Sequence, residues 1–234
     1  MALTTAAIVV AAGEGRRIGG DTPKAYLSLG GRAMILRTLD KVFAVRRIST
    51  AVVVVAAEAL SRCEDLLRGD SALGSRPWTL QVGGSTRQES VRRGLDKLQN
   101  GIEIVAIHDG ARPFASTELF DRLIDIAVEK GAVVPGLPPR DTIKFVRADG
   151  SIELTPARSG LREIQTPQVF RRELIQQAHQ RAARESFEAT DDAMVVERLG
   201  EPVYVVEGEK LNFKVTLPED VWLAETLIRE GKMS

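Results

Sequence analysis

Short apolar runs alternate along this chain with segments whose apolar residues recur at helical spacing. The run over 6–12, AAIVVAA, is compact and partly β-branched and stops at a glycine; it predicts a buried strand feeding a turn. Over 34–45, Ile35, Leu36, Leu39, Val42 and Phe43 fall on one face of a helix. The run 51–57, AVVVVAA, shows no polar alternation, as expected of a strand covered on both faces in a parallel sheet. A short helix follows over 59–67, a strand over 77–82 and a helix over 87–98 with Val91, Leu95 and Leu98 inward. A strand over 102–107, a helix over 117–129 and a strand over 132–137 continue the alternation. This order implies right-handed crossovers and an α/β fold with a doubly wound, mostly parallel sheet.

The alternation breaks at Pro138-Pro139. Two strand-like runs, 142–147 and 151–154, flank Asp149-Gly150 and read as a hairpin. Coming after a double proline, it is expected to leave the main sheet as an arm over 138–160, suited to a subunit contact or a surface flap. Helices over 171–184 and 191–199 and a strand over 203–206 follow. Thr216-Leu217-Pro218-Glu219 reads as a capping box opening a last helix through Ile228. No repeat or low-complexity linker divides the chain, so residues 1–234 read as one domain.

Ligands of such sheets bind beyond the carboxyl ends of the strands. Three strand exits therefore gather the candidate chemistry: 13–24, 83–90 and 108–113. At the first, Gly13 and Gly15 remove side chains and leave backbone N–H groups free to face a ligand, and Arg16, Arg17 and Lys24 add positive charge. Backbone donors with mobile cations suit a triphosphate, although a plain strand–helix turn with solvated basic residues has the same composition. No Walker A string is present. The dinucleotide pattern fails because Ile18 stands where a third glycine is required.

At the second exit, Gly83 and Gly84 let a base ring approach the backbone and Ser90 can bond a ring edge; Ser85 or Thr86 can equally be an ordinary helix cap. At the third, Asp109 and Arg112 can order a hydroxyl and a phosphate, and His108 reads as a structural hydrogen-bonder rather than a base. Asp191 and Asp192 read as acidic residues at a helix start more readily than as metal ligands. Lys214, inside the strand-like run KLNFKVT, needs an anionic partner or solvent.

Composition narrows the function. The chain has 234 residues, 44% hydrophobic and 27% charged, and its 32 basic residues balance 32 acidic ones. Zero net charge argues against a general nucleic-acid or anionic-membrane binder. Cys63 is the only cysteine, so no intrachain disulfide forms, in keeping with a reducing cytoplasm. The start, 1–12, has no charged leader region and is too short for a membrane span.

Taken together, A-A-G-E-G-R-R (11–17), P-K (23–24), G-G-S-T-R-Q-E-S-V (83–91), H-D-G-A-R-P (108–113), R-D-T (140–142), T-P-Q (166–168), T-D-D (190–192) and N-F-K-V-T-L-P-E-D (212–220) resemble the 2-C-methyl-D-erythritol 4-phosphate cytidylyltransferase family. The resemblance runs through nearly the whole chain, with Gly110 in place of a frequent alanine and Ser85 in place of a frequent aspartate. It implies a Rossmann-like nucleotidyltransferase fold with a projecting β-arm and a homodimer whose arms interlock. It implies the reaction of CTP with methylerythritol 4-phosphate, with Mg²⁺ carried mainly on the CTP phosphates and no dedicated metal ligands. Arg17 and Lys24 would stabilise the transition state. Ala11, Ala12, Gly13, Gly15, Arg16, Gly83, Gly84, Ser90 and Asp109 would bind the nucleotide. Asp109, Arg112, Thr142, Arg158, Thr166, Thr190 and Lys214 would bind the acceptor, with Thr142 and Arg158 reaching across from a partner subunit. The nearest alternative is a cytidylyltransferase for another polyol phosphate, such as ribitol 5-phosphate.

Overall fold

In the computed structural model, which describes residues 3–13 and 23–232, strand β1 (Thr5–Ala11) runs through the middle of the sheet. It pairs in parallel with β4 (Ile48–Val55) on one side and with β6 (Ile104–Asp109) on the other. Its two faces enter different cores. Ala7 and Val9 pack with α1 (Met34–Ala44) and α4 (Thr117–Lys130), whereas Ala6 and Ile8 pack with α3 (Arg87–Asp96) and α5 (Arg172–Arg184). Successive side chains of a strand point to opposite faces, so a strand with helices on both faces is apolar throughout. Each large aliphatic side chain buried this way contributes about 1.5–3 kcal/mol. Helix α3 lies directly on the sheet because Gly94 lets it: a Cβ there would stand 2.8 Å from Ile8 Cγ2 and 3.1 Å from Val54 Cγ2.

Beyond β4 lies β5 (Trp78–Val82), again parallel, with α2 (Leu60–Gly69) in the crossover. Beyond β6 the sheet turns mixed. Strand β11 (Gln168–Arg171) is inserted antiparallel between β6 and β7 (Ala132–Leu137). Strand β10 (Glu163–Ile164) pairs antiparallel with the end of β7, and β12 (Tyr204–Glu207) pairs with β7 in parallel. The sequence pattern does not predict this inserted strand.

The hairpin expected after Pro138-Pro139 is present as β8 (Phe145–Val146) and β9 (Ile152–Leu154), hydrogen-bonded to each other and to no strand of the main sheet. It leaves Ile143, Phe145, Val146, Ile152 and Leu154 exposed. A small ribbon of β2 (Ser28–Leu29) and β3 (Arg32–Ala33) precedes α1. Helix α6 is Asp192–Leu199 and α7 is Pro218–Arg229. The cap of α7 differs from the expected box. Pro218 opens the helix after Leu217, and Asp220, not Glu219, closes it: its carboxylate accepts from the N–H groups of Thr216 and Leu217 and from the Thr216 hydroxyl. The run 210–216 is a loop rather than a strand, its Val215 N–H donating to Ala111 O.

Candidate functional site

Along the sheet the chain steps from β1 outward to β4 and β5, then returns to the other side of β1 with β6. The crevice at this reversal is where such sheets bind ligands. A cavity of about 580 Å³ lies there, at the carboxyl ends of β1, β4, β5 and β6. Of the residues expected at the site, Ala11, Ala12, Gly13, Lys24, Gly83, Gly84, Ser90, Asp109 and Lys214 all line it. Gly15, Arg16 and Arg17 lie outside the described residues.

The glycine wall is set by close packing and by one hydroxyl. A Cβ on Gly83 would stand 2.6 Å from Ala12 Cβ and 2.7 Å from Ser90 Oγ. Ser90 is buried; its hydroxyl donates to Thr86 O and accepts from the Gly84 N–H. It therefore shapes the loop from beneath. Thr86 is the N-cap of α3, accepting from the Glu89 N–H, and the Glu89 carboxylate returns the bond to the Ser85 N–H and hydroxyl. Those bonds from Ser85, with Arg93, bring the Glu89 carboxyl down to about 2.

Asp109, at the end of β6, is the hub of the opposite wall. Its Oδ2 lies 2.9 Å from Lys214 Nζ and 3.7 Å from Arg112 Nε, and its Oδ1 lies 3.4 Å from Arg87 Nε. Burial alone would raise the carboxyl; Arg87, then Lys214 and Arg112, overcome it and hold Asp109 well below the usual carboxylate range. Arg112 itself stands behind Asp109, outside the cavity lining, donating to Asn212 O. That bond and the one from Val215 to Ala111 fasten the loop that carries Lys214 to the loop after β6. Lys24 opens a 3-10 turn whose Tyr26 is buried. It is near enough to Asp220 to help depress that carboxyl, after the bonds from Thr216 and Leu217.

His108 is buried with both ring nitrogens engaged. Nε2 faces Arg112 O at 3.0 Å, so Nε2 carries the proton, and Nδ1 accepts from the Thr166 hydroxyl at 3.1 Å. That hydroxyl also accepts from the Asp109 N–H. Burial lowers the imidazole to about 4, which makes it a neutral spacer behind Asp109. Thr166, likewise buried, is placed behind the cavity rather than in its lining. Thr190 is exposed, its hydroxyl 3.7 Å from Met194 Sδ. Thr142 is exposed on the arm, and Arg158 donates to Pro139 O and Arg140 O at the arm's base, so neither joins the cavity within one chain.

Arg87 and Thr216 line the cavity without having been singled out from the sequence. Nothing local marks Arg87, the first residue of a polar helix, but it joins Asp109 to Asp192 at 2.8 Å. Asp191 caps α6 by accepting from the Met194 N–H, and Asp192 pairs with Arg87 and His179. The adjacent carboxylates are thus occupied as helix-start residues. Among the described residues no three His, Cys, Asp or Glu side chains are grouped to hold a metal ion, and no helix is long and apolar enough to cross a membrane.

The family model described as IspD, 2-C-methyl-D-erythritol 4-phosphate cytidylyltransferase, matches residues 5–230. A relative of that name from Frankia casuarinae is 43% identical over 225 residues, spanning 95% of this chain and 80% of the relative. Another from Geobacillus kaustophilus is 43% identical over 223 residues, spanning 95% and 96%. The crystal structure of 4-diphosphocytidyl-2C-methyl-D-erythritol synthase from Anaerococcus prevotii superposes with a TM-score of 0.86 at 33% identity, covering 97% of both chains. With a nucleotide-sized cavity at the switch point and the expected residues around it, the chain belongs to the 2-C-methyl-D-erythritol 4-phosphate cytidylyltransferase family.

Proposed function

We propose that this chain joins CTP and 2-C-methyl-D-erythritol 4-phosphate to give 4-diphosphocytidyl-2-C-methyl-D-erythritol and pyrophosphate, in the non-mevalonate route to isoprenoids. The observation that carries this reading is the cavity itself, with backbone and glycines on one wall, Lys214 and Arg87 about Asp109 on the other, and Lys24 also in its lining. The acceptor's phosphate oxygen attacks the α-phosphorus of CTP. The new P–O bond forms as the bond from that phosphorus to the bridging oxygen breaks, and pyrophosphate leaves with the electron pair. A phosphate monoester is largely dianionic at neutral pH, with a second pKa near about 6; no general base is needed. The neutral, fully engaged His108 is in keeping with that.

The protein's task is to hold two anions together and offset the charge that grows on the α-phosphoryl oxygens and the leaving group. Lys24 and, from the sequence, Arg17 serve the triphosphate. Lys214, oriented by Asp109, serves the acceptor phosphate, with Arg112 supporting Asp109 from behind, while Asp109 takes a ribose or polyol hydroxyl. Mg²⁺ would neutralise phosphate charge. It would enter bound to the CTP phosphates.

The exposed apolar residues of the arm support a homodimer in which Thr142 and Arg158 complete a partner's acceptor pocket. A single unpaired thiol, Cys63, supports the cytoplasm as its place. The test is pyrophosphate release from CTP and Mg²⁺ with methylerythritol 4-phosphate, beside ribitol 5-phosphate, GTP and ATP. Release with CTP and methylerythritol 4-phosphate alone is the expected result. Release with ribitol 5-phosphate alone overturns the acceptor and keeps the mechanism.

A further inference from the structure

Asp192 lies outside the cavity lining and is 1% exposed. A carboxylate so buried is costly unless it is paired and hydrogen-bonded. Its backbone is fixed by Gln168, whose Oε1 accepts from the N–H groups of Asp192 and Ala193 and whose Nε2 donates to Asp191 Oδ2. Its side chain meets His179 Nε2 at 3.1 Å through Oδ1 and Arg87 Nη1 at 2.8 Å through Oδ2. Arg87 in turn reaches Asp109 Oδ1 through Nε. The start of α3 is stitched to the segment before α6 by Gln88, which donates to Phe187 O and accepts from the Ala189 N–H. The chain of contacts thus runs from a fixed helix start, through one guanidinium, to the carboxylate at the centre of the site.

We infer that Asp192 is a positioning residue for Asp109, acting through Arg87. This rests on the reading of Asp109 as a substrate contact. Asp109 would otherwise face Arg87, Arg112 and Lys214 as the one carboxylate among three cations. Asp192 takes one guanidinium nitrogen of Arg87, so that Arg87 touches Asp109 through Nε alone, at 3.4 Å, and leaves Oδ2 to Lys214 at 2.9 Å. Arg87 thus divides its charge between two carboxylates, by a hydrogen bond from Nε to Asp109 and an ion pair from Nη1 to Asp192. Without Asp192, Arg87 closes on Asp109 and draws it from Lys214.

The test is a double-mutant cycle in pyrophosphate release, run well below each variant's unfolding temperature, with Asp192→Asn and Asp109→Asn singly and together. Asp192→Asn lowers kcat/KM by about 10-fold in the otherwise native enzyme and by less than about twofold when Asp109→Asn is already present. An equal loss in both backgrounds means a merely structural role and overturns the proposal, as does full kcat/KM in Asp192→Asn beside an impaired Asp109→Asn. Full kcat/KM in Asp109→Asn overturns both this proposal and the site reading beneath it. Should Asp192→Asn alone not fold, it is made in Arg87→Gln, where no guanidinium remains to close on Asp109: kcat/KM within about twofold of Arg87→Gln alone is expected, and a further loss overturns the proposal.

Discussion

Lys214 Nζ stands 2.9 Å from Asp109 Oδ2, yet the lysine side chain is 40% exposed while the carboxylate is 10% exposed. The pair is therefore asymmetric. Asp109 is held by several groups, whereas Lys214 is held at one point and keeps its remaining donors for the cavity. A lysine ammonium has three donors and no rigid plane, which suits a moving phosphate oxygen. Lys214→Gln is expected to lower kcat/KM by at least about 100-fold with the fold intact. Steady-state kinetics with varied acceptor checks this, and an unchanged kcat/KM removes Lys214 from the site.

The proposed function gives the triphosphate to Lys24, a liner of the cavity, and to Arg17, on the strength of the sequence. Charge offset in the transition state raises kcat more than it lowers KM. Lys24→Ala and Arg17→Ala are each expected to reduce kcat by at least about 100-fold. Either purified variant turning over like the native enzyme refutes the role assigned to it.

Gly13 and Gly83 should respond differently to alanine. A methyl at Gly13 meets no described atom within 4 Å, whereas one at Gly83 collides with Ala12 Cβ and Ser90 Oγ. Gly83→Ala must therefore shift a strand exit or a buried hydroxyl, with an expected loss of about 1–3 kcal/mol in unfolding free energy. Gly13→Ala should leave stability unchanged and weaken CTP binding, because Gly13 lines the cavity and its methyl meets no described atom. Denaturant midpoints paired with calorimetric CTP titrations separate the two, and equal stability losses contradict the distinction.

Much of this was legible along the chain for physical reasons. Strands β1 and β4 are buried on both faces, so their apolar runs mark them whatever their neighbours are. Strand exits and glycines then gather the site by topology. Strand β11 escaped because Gln-Val-Phe-Arg has no local mark of a strand; its pairing with β6 and β7 exists only once those strands are side by side. Arg87 escaped for the same reason: its partners Asp109 and Asp192 belong to other elements. The Thr166 hydroxyl is engaged with His108 and the Asp109 N–H, contacts that no spacing encodes.

His108 links acidity to stability. Its folded pKa is depressed to about 4 by burial, from an unfolded value of 6.5. Above the unfolded value both states are neutral and the group has no effect. As pH falls from 6.5 towards 4 only the unfolded chain takes up the proton, so stability is lost as pH drops. Asp109 and Asp192, also depressed, lose their contribution only below the unfolded carboxylate value of 3.8, outside this window. Between pH 6.5 and 5 the His108 contribution falls by about 1.6 kcal/mol, the slope steepening towards about 1.4 kcal/mol per pH unit. Urea unfolding of the native chain and of His108→Gln across that range measures it as the difference in slope. Parallel slopes dismiss His108 as the source.

The arm supplies the last expectation. Phe145, Val146 and Ile152 are all more than half exposed, at 55%, 58% and 57%, on a two-stranded ribbon that no helix covers. A two-stranded hairpin in water is marginal by itself, and contiguous exposed apolar surface of this kind marks an interaction site. If two arms pack on each other, Phe145→Asp places a carboxylate in the seam and should convert a dimer to monomer in sedimentation analysis. Activity should fall with it, because Thr142 and Arg158 would no longer reach a partner's site. A native-like dimer in Phe145→Asp places the subunit contact elsewhere.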